Sequence, residues 1–204
     1  MGRYKGEFVA QFLGDGRRVK LVRPFGYIDD AKLAWSVPKA AIVDGASIPK
    51  VLWSITGGPL EGEYRDASVI HDYFCDRRSR PWKAVHRVFY EAMMTSGVNP
   101  LKARAMYAGV LLGGPRWSET VVHNNNFSTS NFDNSDSVEP QSEAPGDPPS
   151  LRVTTYRMSV SQEAVKALYD RAETEDLSLA DIEAIVGEAS ATLEQKVISI
   201  EDRG

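Results

Sequence analysis

The sequence predicts an α+β fold, and three observations carry the prediction. Strand-like runs and turn signals fill residues 1 to about 60; helical periodicity takes over at Glu63; and a polar run over 118–150 sets the C-terminal part aside. The expected organisation is a small N-terminal β-sheet packed against a three-helix unit (1–117), a disordered linker (118–150) and a small helical C-terminal appendage (151–204).

In chain order, Phe8 to Leu13 and Val19 to Val22 read as strands joined at Gly14-Asp15-Gly16, a hairpin signal. Leu33 to Val37 and Ala41 to Val43, separated by Pro38-Lys39, suggest a further extended pair. From Glu63, residues Ala67, Ile70, His71 and Phe74 recur at the spacing of one helical face, and this helix ends near Arg78. Pro81 opens a second helix with a Val85, Phe89, Ala92, Met93 stripe, which Gly97 stops. Asn99 caps a third, with Pro100 in its first turn, Leu101, Ala105, Ala108 and Leu112 inward, and Gly113-Gly114-Pro115 at its end.

The stretch from Ser118 to Ser150 is dominated by Asn, Ser, Asp, Glu and Pro, too little apolar area to offset its ordering entropy. Beyond it, Leu151 to Met158 suits a strand, and two helices open at the capping boxes Ser159-Val160-Ser161-Gln162 and Ser178-Leu179-Ala180-Asp181. The second carries a stripe of Ile182, Ile185, Val186, Ala189, Leu193, Val197 and Ile200, which predicts packing on the main domain or self-association into a homo-oligomer through 151–204.

Composition narrows the function. A net charge of -4 argues against nucleic-acid binding, which needs Lys and Arg gathered on one face; Arg77-Arg78-Ser79-Arg80 reads as a solvated turn. No run approaches the roughly 18 apolar residues of a membrane span. The first 22 residues lack the roughly 7–15-residue apolar core of a signal peptide, so a cytoplasmic location is expected. The single cysteine, Cys75, rules out an intrachain disulfide and predicts that there is no Cys-based structural zinc site.

The chemistry-bearing stretch is Val43 to Pro49 followed by His71-Asp72. Asp44-Gly45 also serves as a plain turn, and Ser47 as a plain helix cap without the Gly-x-Ser-x-Gly elbow of a nucleophile. His71 lies on an apolar helical face, where each ring nitrogen needs a partner, and Asp72 points about 100° around the same helix. His86, on the face of Phe89 and Met93, also turns inward. Two imidazoles and two carboxylates, Asp44, His71, Asp72 and His86, form a ligand set suited to zinc or another divalent transition metal. The spacing matches neither the His-Glu-x-x-His metalloprotease signature nor the HD phosphohydrolase pattern. Cys75, one turn after His71, reads as a buried inert thiol; His123 falls in the linker, and Glu91 is an outer-shell candidate.

The ordered blocks Val43-Asp44-Gly45-Ala46-Ser47-Ile48-Pro49, Trp53, Ala67, His71-Asp72-Tyr73, Arg87-Val88-Phe89-Tyr90-Glu91-Ala92-Met93, Met106-Tyr107 and Gly113-Gly114 resemble the phage- and prophage-associated family of unknown function DUF 1353, over about residues 5–118. The resemblance implies a phage or prophage origin and a small α+β fold, and no activity. Where that family has Ala-Asp-Arg this chain has Val85-His86-Arg87, an exchange that keeps metal-binding capacity and loses a charge; Val43 stands where the family has Thr.

Three readings stay open. One is a phage-derived accessory or assembly protein with a buried Asp44–His71 pair and a phage or host protein as partner. Another is a small metal-dependent hydrolase with Asp44, His71 and Asp72 at the reacting centre, His86 completing the ligands and Arg87 stabilising negative charge. The third is an interaction module that inhibits a host factor.

Overall fold

A computed structural model describes residues 2–15, 17–44, 47–49, 52–53, 57, 60, 62–122 and 150–203. The fold is α+β. Among the described residues there are nine strands, β1 (Arg3–Lys5), β2 (Ala10–Phe12), β3 (Val19–Leu21), β4 (Phe25–Ile28), β5 (Ala34–Val37), β6 (Ile42–Val43), β7 (Arg116–Val122), β8 (Ser150–Met158) and β9 (Gln195–Arg203). Five helices accompany them: α1 (Arg65–Arg77), α2 (Trp82–Thr95), α3 (Pro100–Gly113), α4 (Gln162–Thr174) and α5 (Leu179–Thr192).

The N-terminal strands form two small antiparallel sheets, β1-β4-β5 and β2-β3-β6, where one was expected. The hairpin of β2 and β3 is present, with Ala10 opposite Leu21 and Phe12 opposite Val19; its turn residue Gly16 lies outside the described residues. The expected pairing of β5 with β6 does not occur, since β5 adds to β4 and β6 adds to β3. Pro38-Lys39 thus connects two sheets instead of turning a hairpin. Tyr4 and Tyr27 hold the first sheet to α2: the Tyr4 hydroxyl donates to the Ala92 carbonyl at 2.9 Å, and Tyr27 Oη lies 2.9 Å from Thr95 Oγ1.

The three central helices match their signals closely. Asn99 Oδ1 accepts from Leu101 N–H at 2.9 Å, satisfying an orphan donor at the start of α3. Arg78 ends α1 in the left-handed region at φ 52°, and Gly97 does so after α2 at φ 82°. α3 is buried almost all round, from Ala103 to Leu112, although its sequence suggested a single stripe. The cause is tertiary: α2 packs on one side of it, and α4 and α5 on the other.

The C-terminal segment joins this body. Val153, Val165, Leu168, Tyr169, Ala172, Ile182 and Val186 belong to the same hydrophobic core as the three central helices. β7, β8 and β9 make a third antiparallel sheet, so the linker expected from Ser118 begins as strand through Val122; positions 123–149, including His123, Phe127 and Phe132, lie outside the described residues. The Ser178–Asp181 capping box is complete, whereas α4 is capped by Ser161, two residues beyond the expected Ser159. The long stripe does not form one helix. α5 ends at Thr192; Ile182 and Val186 are buried, while Val197 and Ile200 lie on β9, 54% and 60% exposed. A residue pattern stepping by three and four fits a helix locally, yet β-pairing with β8 takes over from Gln195.

Candidate functional site

α1 and α2 run side by side, joined through a short turn, and their interface holds the polar centre. His71 Nε2 lies 2.8 Å from His86 Nδ1, a direct imidazole–imidazole hydrogen bond, and both rings are completely buried. Cys75 follows His71 by one helical turn, which stacks it on the same face, with its Sγ 3.5 Å from His71 Nε2. Phe89 and Trp82 close the pocket, at ring-centroid distances of 4.7 Å from His71 and 5.5 Å from His86.

Burial dominates the protonation of this group. Removal from water pushes the His71 pKa down to about 3, helped by the nearby Arg157 charge, and pushes His86 well below the ordinary imidazole range, helped by His71 and Arg116. Burial pushes the Cys75 thiol up, so all three groups are neutral near pH 7. Among the described residues, His71 Nδ1 and His86 Nε2 have no hydrogen-bond partner, and the Pro115 backbone offsets part of the effect of burial on His86.

The carboxylates do different work. Asp72 accepts from the backbone N–H groups of Asp44 at 2.8 Å and Ser47 at 3.2 Å, clamping both residues onto the helix. The Asp44 carboxylate turns toward solvent and pairs with Arg17 at 3.3 Å. The expected four-ligand set therefore does not gather. Among the described residues the group whose ligand atoms lie within 4.8 Å of one another is His71, Cys75 and His86. The expected Asp44–His71 pair is likewise replaced, because His71 bonds His86. Arg87 sits elsewhere, pairing with Glu91 at 3.5 Å and Glu183 at 3.4 Å.

Cys75 is buried and protonated, as expected of a thiol one turn after His71; its convergence with both imidazoles is what the sequence does not show, because that depends on how α1 packs on α2. A cleft of about 420 Å³ opens beside it, lined by Asp44, Ser47, Asp72 and Cys75 from the first half of the chain and Thr155 and Arg157 from β8. The C-terminal segment thus forms one wall of the cleft beside the histidine centre.

Residues 19–110 match the family model described as "Protein of unknown function (DUF1353)". The matched stretch holds Asp44, His71, Asp72, Cys75 and His86; Arg116, Thr155 and Arg157 lie beyond it. Two curated relatives come from Sinorhizobium fredii. "Uncharacterized protein y4jT" is 51% identical over 106 residues, covering 52% of this chain and 32% of the relative. "Uncharacterized protein y4iH" is 44% identical over 108 residues, covering 53% of this chain and 45% of the relative. The chain spans less than half the length of either. No solved structure matches.

Proposed function

We propose that this chain is a metal-binding accessory protein in which His71 Nε2, His86 Nδ1 and Cys75 Sγ hold a divalent transition metal, zinc foremost. The observation that carries the reading is the convergence of these three buried atoms at one point. Two nitrogens and one sulfur suit zinc, a borderline-soft ion. Zinc–nitrogen bonds place two tetrahedral nitrogens about 3.3 Å apart. The 2.8 Å imidazole pair needs only to open by about half an ångström; the proton between the rings moves to the other nitrogen of the imidazole that carried it, and Cys75 binds as a thiolate, its proton released to solvent. Asp44 and Asp72 shape the adjoining turn instead of serving as ligands.

The hydrolase reading draws support from one further feature, the cleft that Cys75 lines beside the two histidines. A metal there would supply Lewis acidity and lower the pKa of bound water. The phage or prophage setting and a phage or host protein partner rest on the motif resemblance. Self-association, in this reading, uses the exposed Val197, Ile198 and Ile200 of β9.

Metal analysis of protein purified after growth with added zinc tests the centre. One equivalent is expected, reduced in His71→Ala and Cys75→Ser, and retained in Asp44→Ala. Cobalt replacement should give thiolate-to-metal absorption that Cys75→Ser abolishes. A folded wild-type chain that takes up neither zinc nor cobalt overturns the proposal.

A further inference from the structure

A second polar interior shares Trp82 with the histidine pair, and it is charged. Arg116, the first residue of β7, is 6% exposed. Its Nη2 donates to the Leu111 carbonyl at 2.7 Å and to Ser190 Oγ at 2.9 Å, its Nε is buried without an acceptor, and its guanidinium lies 4.7 Å from the Trp82 ring centroid. No carboxylate lies within ion-pair distance of it among the described residues. Arginine cannot shed its proton to relieve burial, and an uncompensated buried ion costs several kcal/mol. Native proteins rarely leave such a charge without a counter-ion.

The guanidinium borders a cavity of about 440 Å³ between α2, α3 and α5, within the size range of small-molecule sites. One wall is apolar, made by Trp82, Leu111, Val186 and Gly187. The acid in the cavity, Glu183, is already engaged: it accepts from the Tyr107 hydroxyl at 2.7 Å and pairs with Arg87 at 3.4 Å. Lys83 and Arg87 add further cations, Lys83 Nζ lying 5.6 Å from the Trp82 ring centroid and Arg87 pairing with Glu183. The cavity thus combines a buried positive charge, an aromatic face and aliphatic side chains.

We propose that this cavity binds a small organic carboxylate with an apolar body, the carboxylate neutralising Arg116 and the body lying against Trp82, Leu111 and Val186. A buried cation selects an anion, and the apolar wall of Trp82, Leu111 and Val186 favours one that carries an apolar body, which inorganic phosphate lacks. Nothing in this site depends on a metal at the histidine pair.

Calorimetric titration of the full chain, stripped of metal by chelation, tests it with benzoate, its neutral isostere benzamide and inorganic phosphate. Benzoate should bind saturably at one equivalent, and benzamide at least about tenfold more weakly, because it lacks the charge that Arg116 requires. Arg116→Met should abolish benzoate binding. Gly187→Leu provides the control that does not disturb the charge: Gly187 lines the cavity and a Cβ there meets nothing within 4 Å, so a leucine is accommodated without a clash and narrows the space open to a ligand. That variant should keep its melting temperature and lose benzoate affinity by at least about tenfold. Equal affinity for benzoate and benzamide, tighter binding of phosphate, no benzoate binding, or unchanged affinity in a folded Gly187→Leu would each overturn the proposal.

Discussion

The two polar interiors of this protein meet burial in opposite ways. Between α1 and α2, His71 and His86 relieve it by giving up their protons and bonding each other. At the start of β7, Arg116 keeps its charge and shelters it with a carbonyl, a hydroxyl and an aromatic face. An imidazole titrates near neutrality and a guanidinium does not, so similar depth gives a pH-sensitive centre in one place and a permanent cation in the other. The first is suited to an ion that replaces a proton, the second to a ligand that brings a negative charge.

The largest expected effect exploits that contrast. Both imidazoles have folded-state pKa values below the ordinary 6.5, so above that pH they are neutral in the folded and unfolded chains alike and contribute nothing to pH dependence. As pH falls through 6.5 the unfolded chain takes up protons that the fold refuses, and stability drops by about 1.4 kcal/mol per pH unit for each imidazole. For His71 the loss runs until pH reaches about 3, on the order of 5 kcal/mol in all. Urea unfolding of the chelated protein between pH 7.5 and 4 should show this slope, and His71→Gln should reduce it to the share that His86 contributes. An unchanged slope in that variant would mean that the fold does not resist protonation of His71.

A smaller effect tests the corner between the two interiors. Gly114 follows α3 with an ordinary extended backbone, so its need for glycine is one of space: a Cβ would lie 2.3 Å from the Val110 carbonyl oxygen and 3.1 Å from His86 Cε1. Gly114→Ala should cost about 3 kcal/mol, because both neighbours are fixed by packing. A thermal melt within a degree of wild type would show that the imidazole is not held there.

The smallest of the three separates clamp from ligand. Asp72→Ala removes the acceptor of two backbone N–H groups and should cost about 2 kcal/mol while leaving zinc content intact; Asp72→Asn, which keeps one acceptor oxygen, should cost about half as much. Loss of zinc from a folded Asp72→Asn would return this carboxylate to the ligand set. Denaturant titration with metal analysis on the same samples gives both readings.

Much of the architecture was legible because it is encoded over short distances. Asn99 and Ser178 cap their helices as their neighbours in sequence require, and the helical stripes place His71 and His86 inward. β1 and β4 escaped notice because both are very short, and Phe25 to Ile28 lacks polar–apolar alternation. The stripe from Ile182 to Ile200 misled for the opposite reason: its period is helical, but β8 offered the segment after Gln195 a pairing edge.

The sequence by itself determined the class of fold, the three central helices, and the presence of two inward histidines one helix apart. Tertiary structure decided their partners. Which nitrogen His71 meets depends on how α1 and α2 dock, and Asp72 is claimed by two backbone N–H groups, donors that nearly every residue carries and that no letter of the sequence distinguishes. Arg116 borders a cavity only because α5, more than sixty residues later, packs beside it. Periodicity and capping act within a few turns of chain, whereas the environment of a buried charge is set by whichever distant surface covers it.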